Sequence, residues 1–299
     1  MTAPHVLLTG ASGLIGRQCV PALLAAGCRV TVLSRSGAAP DGTAGLKVDL
    51  LDHKSTVAAV QTAEASHLLH LAWHAGARDR WTAPANLDWV SATFALMQAF
   101  AAHGGQRAVG VGSCAEYDWS AVTLREDTPL RPATLYGAAK AATGLALTKA
   151  APVLDLSFAW ARPFFCYGPG EPPGRLFGDL VKGLKAGQPV DCTDGQQRRD
   201  FLHTDDIAAA LTALLASDAQ GPVNIASGEA VPVRDLIMEA ANQMGRPDLI
   251  RLGAIARPAT DPPLLAADTT RLNEEVGFRP RHSLKTGVAQ VLTAEGASP

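Results

Sequence analysis

The chain has 299 residues, 47% of them hydrophobic and 18% charged, with a formal net charge of −2. That length can bury a full core, as one large domain or as a main domain with a smaller lobe. The near-neutral balance offers no basic field for nucleic acid or for an anionic membrane surface.

Five cysteines, at 19, 28, 114, 166 and 192, form no C-x-x-C pair and are odd in number. A disulfide scaffold and a structural metal site are therefore not expected. A strand beginning by His5 leaves no place for a cleavable leader, and no uncharged apolar run approaches the roughly 18 residues of a membrane span. The expectation is a soluble, cytoplasmic protein.

In chain order, an apolar strand from His5 runs into a turn, Gly10-Ala-Ser-Gly-Leu-Ile-Gly16. The spacing is G-x-x-G-x-x-G rather than G-x-G-x-x-G, with the same physics. Gly10 lets the strand turn sharply, Gly13 admits a pyrophosphate against backbone, and Gly16 allows close helix–strand packing. The helix that follows, over 14–26, presents free N–H groups and a favourable dipole to phosphate. Pro21 predicts a local adjustment in it.

A second strand over 30–33 ends at Ser34-Arg35, a third over 46–49 ends at Asp49-Leu50, and a helix is expected over 52–64. A fourth strand, 67–72, ends at Leu71-Ala72. Residues 73–84 read either as a flap over substrate or as an ordinary surface loop with two partly buried tryptophans. A helix over 86–102 and a strand over 107–111 follow, delivering Ser113-Cys-Ala115 to the strand end. Helix 135–150 and strand 156–161 complete the regular part.

Beyond Tyr167 the chain is rich in Pro and Gly, with helices expected over 205–217 and 233–244. The alternation of strand and helix predicts an α/β fold: a Rossmann-type doubly wound parallel sheet with a smaller C-terminal substrate-binding lobe. Residues 1–165 would bind the dinucleotide, a strand and helix near 200–226 would return to that domain, and 166–299 would mainly bind substrate.

Tyr136 and Lys140 stand four apart on one helix face, so both can meet one object. A phenol is a poor base near neutrality, and a nearby ammonium lowers its pKa. Ser113, at a strand end, could donate to a carbonyl oxygen. The three suit hydride transfer between C=O and CH–OH with a nicotinamide as the redox partner.

With these residues in this order, the chain resembles the extended short-chain dehydrogenase/reductase family, in its nucleotide-sugar epimerase, dehydratase and reductase branch. The resemblance takes in Gly10/Gly13/Gly16, Asp49-Leu50, His70-Leu-Ala72, Ser113, Tyr136/Lys140, Tyr167-Gly-Pro169 and Arg199-Asp-Phe-Leu-His-Thr-Asp205. It implies Tyr136 as general acid/base, Lys140 as the group that lowers its pKa and holds the nicotinamide ribose, and Ser113 as the residue that positions the reacting oxygen. It implies a cofactor lined by Ser12, Leu14, Ile15, Ser34, Arg35, Asp49, Leu50, Leu71, Ala72, Trp73 and Phe165. A nucleoside-diphosphate sugar would meet His74, Cys114, Ala115, Arg175, Arg199 and Arg271, and the protein would be a homodimer.

Departures from the family pattern narrow the expectation. Ser34-Arg35 lacks the acidic ribose ligand of NAD-preferring members, and an arginine favours the 2′-phosphate of NADP, with NAD still open. Cys114-Ala115 stand where 4,6-dehydratases carry Asp-Glu, and Glu116 falls one position late, which argues against dehydration. Phe165 replaces an asparagine common in epimerases. The reading is reduction of a nucleotide-linked 4-keto-6-deoxyhexose, with a 4-epimerase that retains NAD as the alternative and a non-catalytic nucleotide-binding regulator as a remote one.

Overall fold

The computed structural model describes residues 3–74, 76 and 79–297. It opens with β1 (His5–Thr9), α1 (Gly16–Ala25), β2 (Arg29–Ser34), β3 (Ala44–Lys47), α2 (His53–Ala63) and β4 (His67–His70). Next come α3 (Ala85–Ala102), β5 (Arg107–Val111), β6 (Thr123–Leu124), α4 (Leu135–Ala150), β7 (Ser157–Pro163) and β8 (Phe165–Tyr167). Then follow α5 (Leu176–Lys185), β9 (Val190–Asp191), β10 (Arg198–His203), α6 (Thr204–Ala216), β11 (Gly221–Ile225), β12 (Ala230–Pro232) and α7 (Val233–Gln243). The chain ends with β13 (Ile250–Arg251), β14 (Leu264–Ala267), α8 (Thr270–Glu274) and α9 (Leu284–Ala294).

Seven parallel strands form the main sheet in the order β11-β7-β5-β4-β1-β2-β3. The order reverses between β1 and β4, and a crevice opens there beyond the strand C-termini. Helices cover both faces, so the central strands are apolar on both sides rather than alternating. Val6 and Leu8 face the layer of α1 and α6, where Leu23, Leu211 and Leu214 are fully buried. Leu7 faces the opposite layer, with Leu96 and Phe100 of α3 and Leu147 of α4. Each such leucine contributes roughly 1.5–3 kcal/mol by leaving water.

Beyond Pro163 the chain steps into a smaller sheet, β12-β10-β14-β6, with β8 paired to β10. A separate core backs this region, built from Phe177 and Leu180 of α5, Leu236 and Ile237 of α7, and Val288 and Val291 of α9. The chain then returns: His203 caps α6 by accepting from Asp205 N at 3.2 Å, and β11 pairs with β7. Helix α6 and strand β11 thus rejoin the main sheet, whereas β10 stays in the smaller one.

Several element bounds differ from the sequence expectations. Helix α1 starts at Gly16 because residues 10–13 form a tight turn, with Gly13 N donating to Gly10 O at 3.0 Å. Pro21 lies inside α1 on its exposed face and does not end it. Strand β4 stops at His70, because Gly10 turns the neighbouring β1 away and Thr9 alone bridges to Leu71 and Ala72. Strand β3 lies two residues earlier than expected, in register with β2 through Leu33↔Leu46. Of the segment 73–84, read as a flap or as an ordinary surface loop, residues 75, 77 and 78 lie outside the described residues. Among the described residues no helix is long and apolar enough to cross a membrane.

Candidate active site

The glycine turn divides its labour. A Cβ on Gly10, whose φ is +73°, would stand 2.7 Å from Ala72 N, and one on Gly16 would overlap the Gly10 carbonyl. Both glycines are therefore needed for close backbone packing. A Cβ on Gly13 would approach only Gly10 O, at 3.3 Å, and Gly13 is exposed beside exposed Ser12. Bare backbone thus faces the crevice at the start of α1, whose N-terminus no side chain caps. A pyrophosphate fits such a cradle in size and in charge.

The remaining expected cofactor residues lie mostly around the same strand ends. Ser34 Oγ donates to Ala38 O at 3.1 Å, while Arg35 is exposed at the end of β2. Asp49 Oδ1 accepts from Leu51 N at 3.1 Å, and Leu50 is buried. Leu71, Ala72 and Trp73 follow β4, and Leu14 and Ile15 are half-buried. Phe165 departs from this group. It starts β8 and packs on Phe201 and on the Arg199 guanidinium, 5.4 Å from its ring centroid.

Ser113 follows β5 as the cap of a single 3-10 turn, Cys114–Glu116, with Oγ accepting from Ala115 N at 3.1 Å. Tyr136 and Lys140 lie on α4, whose start is fixed by Thr134 Oγ1 accepting from Gly137 N. A side chain at 137 would run into the Ala115 backbone, so glycine there lets α4 approach the Ser113 turn. The Tyr136 ring meets Trp81 edge-on at 5.5 Å, and its N–H donates to Trp81 O. Burial pushes the phenol up to about 12, while the facing Ser113 hydroxyl opposes part of that rise. Tyr136 is therefore protonated at neutral pH.

Lys140 is 4% exposed, donates to Val111 O at 2.6 Å, and lies 3.8 Å from the Trp73 ring centroid. Burial brings its ammonium down to about 7, against the opposing field of Glu116. His70 bridges Thr9 and Thr93 at 2.7 and 3.0 Å, and burial with the Lys140 charge holds it neutral, at about 3.

Glu116 is fully buried and turns away from the crevice. It accepts from Arg162 Nε at 2.7 Å, from Trp160 Nε1 at 3.0 Å and from Ser113 N at 2.9 Å. Its direction agrees with the expectation that it does not replace a dehydratase carboxylate.

The expected substrate residues separate. Ala115 lines a cavity of about 670 Å³ with Trp81, Trp119, Thr134, Pro262 and Leu264, next to Tyr136. Cys114 does not present its thiol to that space. It packs with Tyr117, Leu124 and Phe164, and burial pushes the thiol up to about 12. His74 is half-buried against Asp79 at 3.1 Å. Arg175 is tied to Glu171 and to the Cys166 carbonyl and thiol.

Arg199 is buried, paired with Asp261 and donating to the carbonyls of Arg198 and Pro262. It is not a free cation here. Arg271 is spent elsewhere: it donates to Pro222 O and Gln220 O on the outer edge of β11 and pairs with Glu275. Its expected phosphate role is not supported, because these partners start an edge strand whose far end faces the crevice.

Two cations escaped the sequence reading. Arg80, 4.6 Å from the Trp81 ring centroid, feels both Tyr136 and Arg175. Arg257, exposed in the proline-rich connector, lies close enough to repel Arg199. It stands beside Pro258, four residues before Asp261 in the same connector. One histidine–carboxylate group, His203, Asp205 and His282, brings ligand-type atoms within 4.8 Å of one another. Its two rings stack at 4.6 Å, and His282 Nδ1 meets Asp206 instead.

Known proteins share this fold. A solved structure described as MoeE5 in complex with UDP-glucuronic acid and NAD superposes with a TM-score of 0.84 at 30% identity, covering 98% of this chain and 99% of that one. The dTDP-6-deoxy-L-talose 4-dehydrogenase (NAD(P)(+)) of Kitasatospora kifunensis is 27% identical, over 100% of this chain and 99% of its own. A UDP-glucose 4-epimerase of Corynebacterium glutamicum is 26% identical, over 93% and 91%. The family model described as NAD dependent epimerase/dehydratase matches residues 6–226, the span from the glycine turn through Ser113, Tyr136 and Lys140 to the last strand of the main sheet. With the cradle and the serine, tyrosine and lysine all inside that span, the chain belongs to the NAD dependent epimerase/dehydratase family.

Proposed function

We propose that this enzyme reduces the keto group of a nucleotide-linked 4-keto-6-deoxyhexose, with NADP as its preferred nicotinamide cofactor. The observation that carries the reading is the Tyr136 phenol facing the Ser113 hydroxyl, with Lys140 four residues on along the same helix and bonded to Val111 O at the end of β5, and with Cys114 and Ala115 offering no carboxylate for elimination. Relatives named as dTDP-sugar 4-dehydrogenases and a dTDP-4-dehydro-6-deoxy-D-allose reductase support the sugar class.

Gly13, Ser12 and the start of α1 would hold the pyrophosphate, Asp49 and Leu50 the adenine side, Arg35 a 2′-phosphate, and Lys140 the nicotinamide ribose. When bound, the nicotinamide supplies the hydride. Tyr136 gives its phenolic proton to the sugar oxygen, which Ser113 Oγ orients, and the Lys140 ammonium stabilises the phenolate that remains. Arg199 and Arg257 form the doubly cationic neighbourhood suited to a diphosphate, which would compete with Asp261 for Arg199. The neutral His70 adds no second positive charge behind Lys140.

A 4-epimerase uses the same residues, and the relative named UDP-glucose 4-epimerase favours keeping it as the second reading. The two separate in one experiment. Purified protein is given dTDP-4-keto-6-deoxyglucose with NADPH, or UDP-glucose without added nicotinamide. Stoichiometric NADPH loss supports reduction. Turnover of UDP-glucose with cofactor copurifying refutes it in favour of epimerisation, and no turnover in either arm with Tyr136→Phe equally functional in cells points to a regulator. Exposed Leu87 on α3 and Leu145 on the adjoining α4 favour a homodimer through these helices, which a monomer mass by light scattering would refute.

A further inference from the structure

Behind the site lies a charge that the reaction as described does not use. Glu116 is 0% exposed, yet it is a carboxylate, and two of its three partners, Ser113 and Trp160, lead back to the site. Its Oε1 accepts from Ser113 N while Ser113 Oγ accepts from Ala115 N, so the serine turn is closed reciprocally from both ends. The same carboxylate accepts the Trp160 indole N–H, and Lys140 Nζ lies over the Trp160 ring, 5.8 Å from its centroid. Arg162 compensates the charge from below through Nε and is itself held by Tyr117 Oη and Glu126 O. Tyr117 donates on to Asn224 of β11 at 2.7 Å.

We propose that Glu116 is a positioning residue of this site: it fixes the Ser113 turn and supplies the buried negative charge that favours the ammonium form of Lys140. An ammonium in an almost dry setting loses its proton unless a negative charge is near. The titratable groups that act on Lys140 are Glu116 from the serine turn and His70 from β4, while Tyr136 stands one turn earlier on its own helix. His70 is neutral and Tyr136 is protonated in the resting protein, which leaves Glu116 as the anion. Arg162 lies on the far side of that carboxylate, and Cys114 and Arg80 face Tyr136 rather than Lys140.

The inference rests on the acid/base reading of Tyr136 and Lys140, and its test keeps the two apart. Glu116→Gln keeps the shape and removes the charge but strands the Arg162 guanidinium. The double variant Glu116→Gln/Arg162→Met removes the pair together, a change that buried ion pairs commonly tolerate. Both are assayed with NADPH and dTDP-4-keto-6-deoxyglucose across about pH 5.5 to 9.5, beside Tyr136→Phe, with melting temperature and NADPH affinity recorded.

In the folded double variant, kcat near pH 7.5 should fall by about tenfold or more, with its alkaline limb moved about one pH unit toward acid and activity partly recovered at low pH. KM should stay within about threefold. A double variant that melts like the wild type and gives a superimposable kcat profile overturns the inference. So does a loss of kcat equal at every pH, which would mark a merely structural role. An active Tyr136→Phe protein would overturn the acid/base reading instead, whatever Glu116 does.

Discussion

Replacing Lys140 with methionine should alter how stability depends on pH. The ammonium is nearly dry, and burial brings its pKa from 10.5 to about 7 in the folded chain. Between those values the unfolded chain holds a proton that the folded chain has released, so stability rises with pH across that window. Below about pH 7 both states are protonated and this contribution is flat. The slope inside the window approaches about 1.4 kcal/mol per pH unit. From about pH 7.5 to 9.5 the wild type should therefore gain roughly 2–3 kcal/mol over Lys140→Met, which has no proton to release. Urea unfolding of both proteins without ligand, followed by circular dichroism at several pH values, measures the difference directly. Parallel stability curves across that interval would refute the reasoning, because they would mean that Nζ keeps its hydration in the folded state despite Trp73 and the Val111 carbonyl.

Three further outcomes are expected. Tyr136→Phe should lower kcat by about 10²–10⁴-fold, the usual worth of a general acid, and leave cofactor affinity within about threefold in a fluorescence titration. Retained turnover would remove it from the mechanism. Arg35→Ala should weaken NADPH binding by roughly tenfold and leave NADH unchanged, since only the 2′-phosphate offers a bidentate partner; equal losses for both would refute the NADP assignment. Gly144→Ala should place a Cβ 2.6 Å from Trp160 Cδ1, at a cost of about 1–3 kcal/mol for overpacking. A melting temperature unchanged by that substitution would show that α4 can move away from β7 freely.

The elements that the chain declares locally were legible before any fold was known. The glycine turn depends on residues within seven positions, and Tyr136 and Lys140 share a helix face by spacing alone. Strand and helix alternation gave the parallel sheet, although its order needed the structure. What stayed hidden depends on distant partners. Glu116 meets Arg162, 46 positions on, only because β5 and β7 are neighbours in the sheet. The position of Arg271 has the same cause: its partners Pro222 of β11 and Gln220 just before it lie about 50 positions upstream. Cys114 follows Ser113 in sequence, but the 3-10 turn directs its thiol into the core. Arg257 went unnoticed because a proline-rich connector carries no periodicity that would aim its side chains.

The position of Arg271 has a consequence for how copies of this protein behave when crowded together. Strand β11 is the last of the main sheet and has β7 on one side only. An open parallel edge of this kind invites a second chain to dock its own backbone there and extend the sheet. Arg271 already occupies the carbonyls of Gln220 and Pro222, and its bond to Glu275 keeps the guanidinium in place. A strand arriving at that border finds the first acceptors taken and a cation in its path. Arg271 thus closes the start of the β11 edge to backbone pairing.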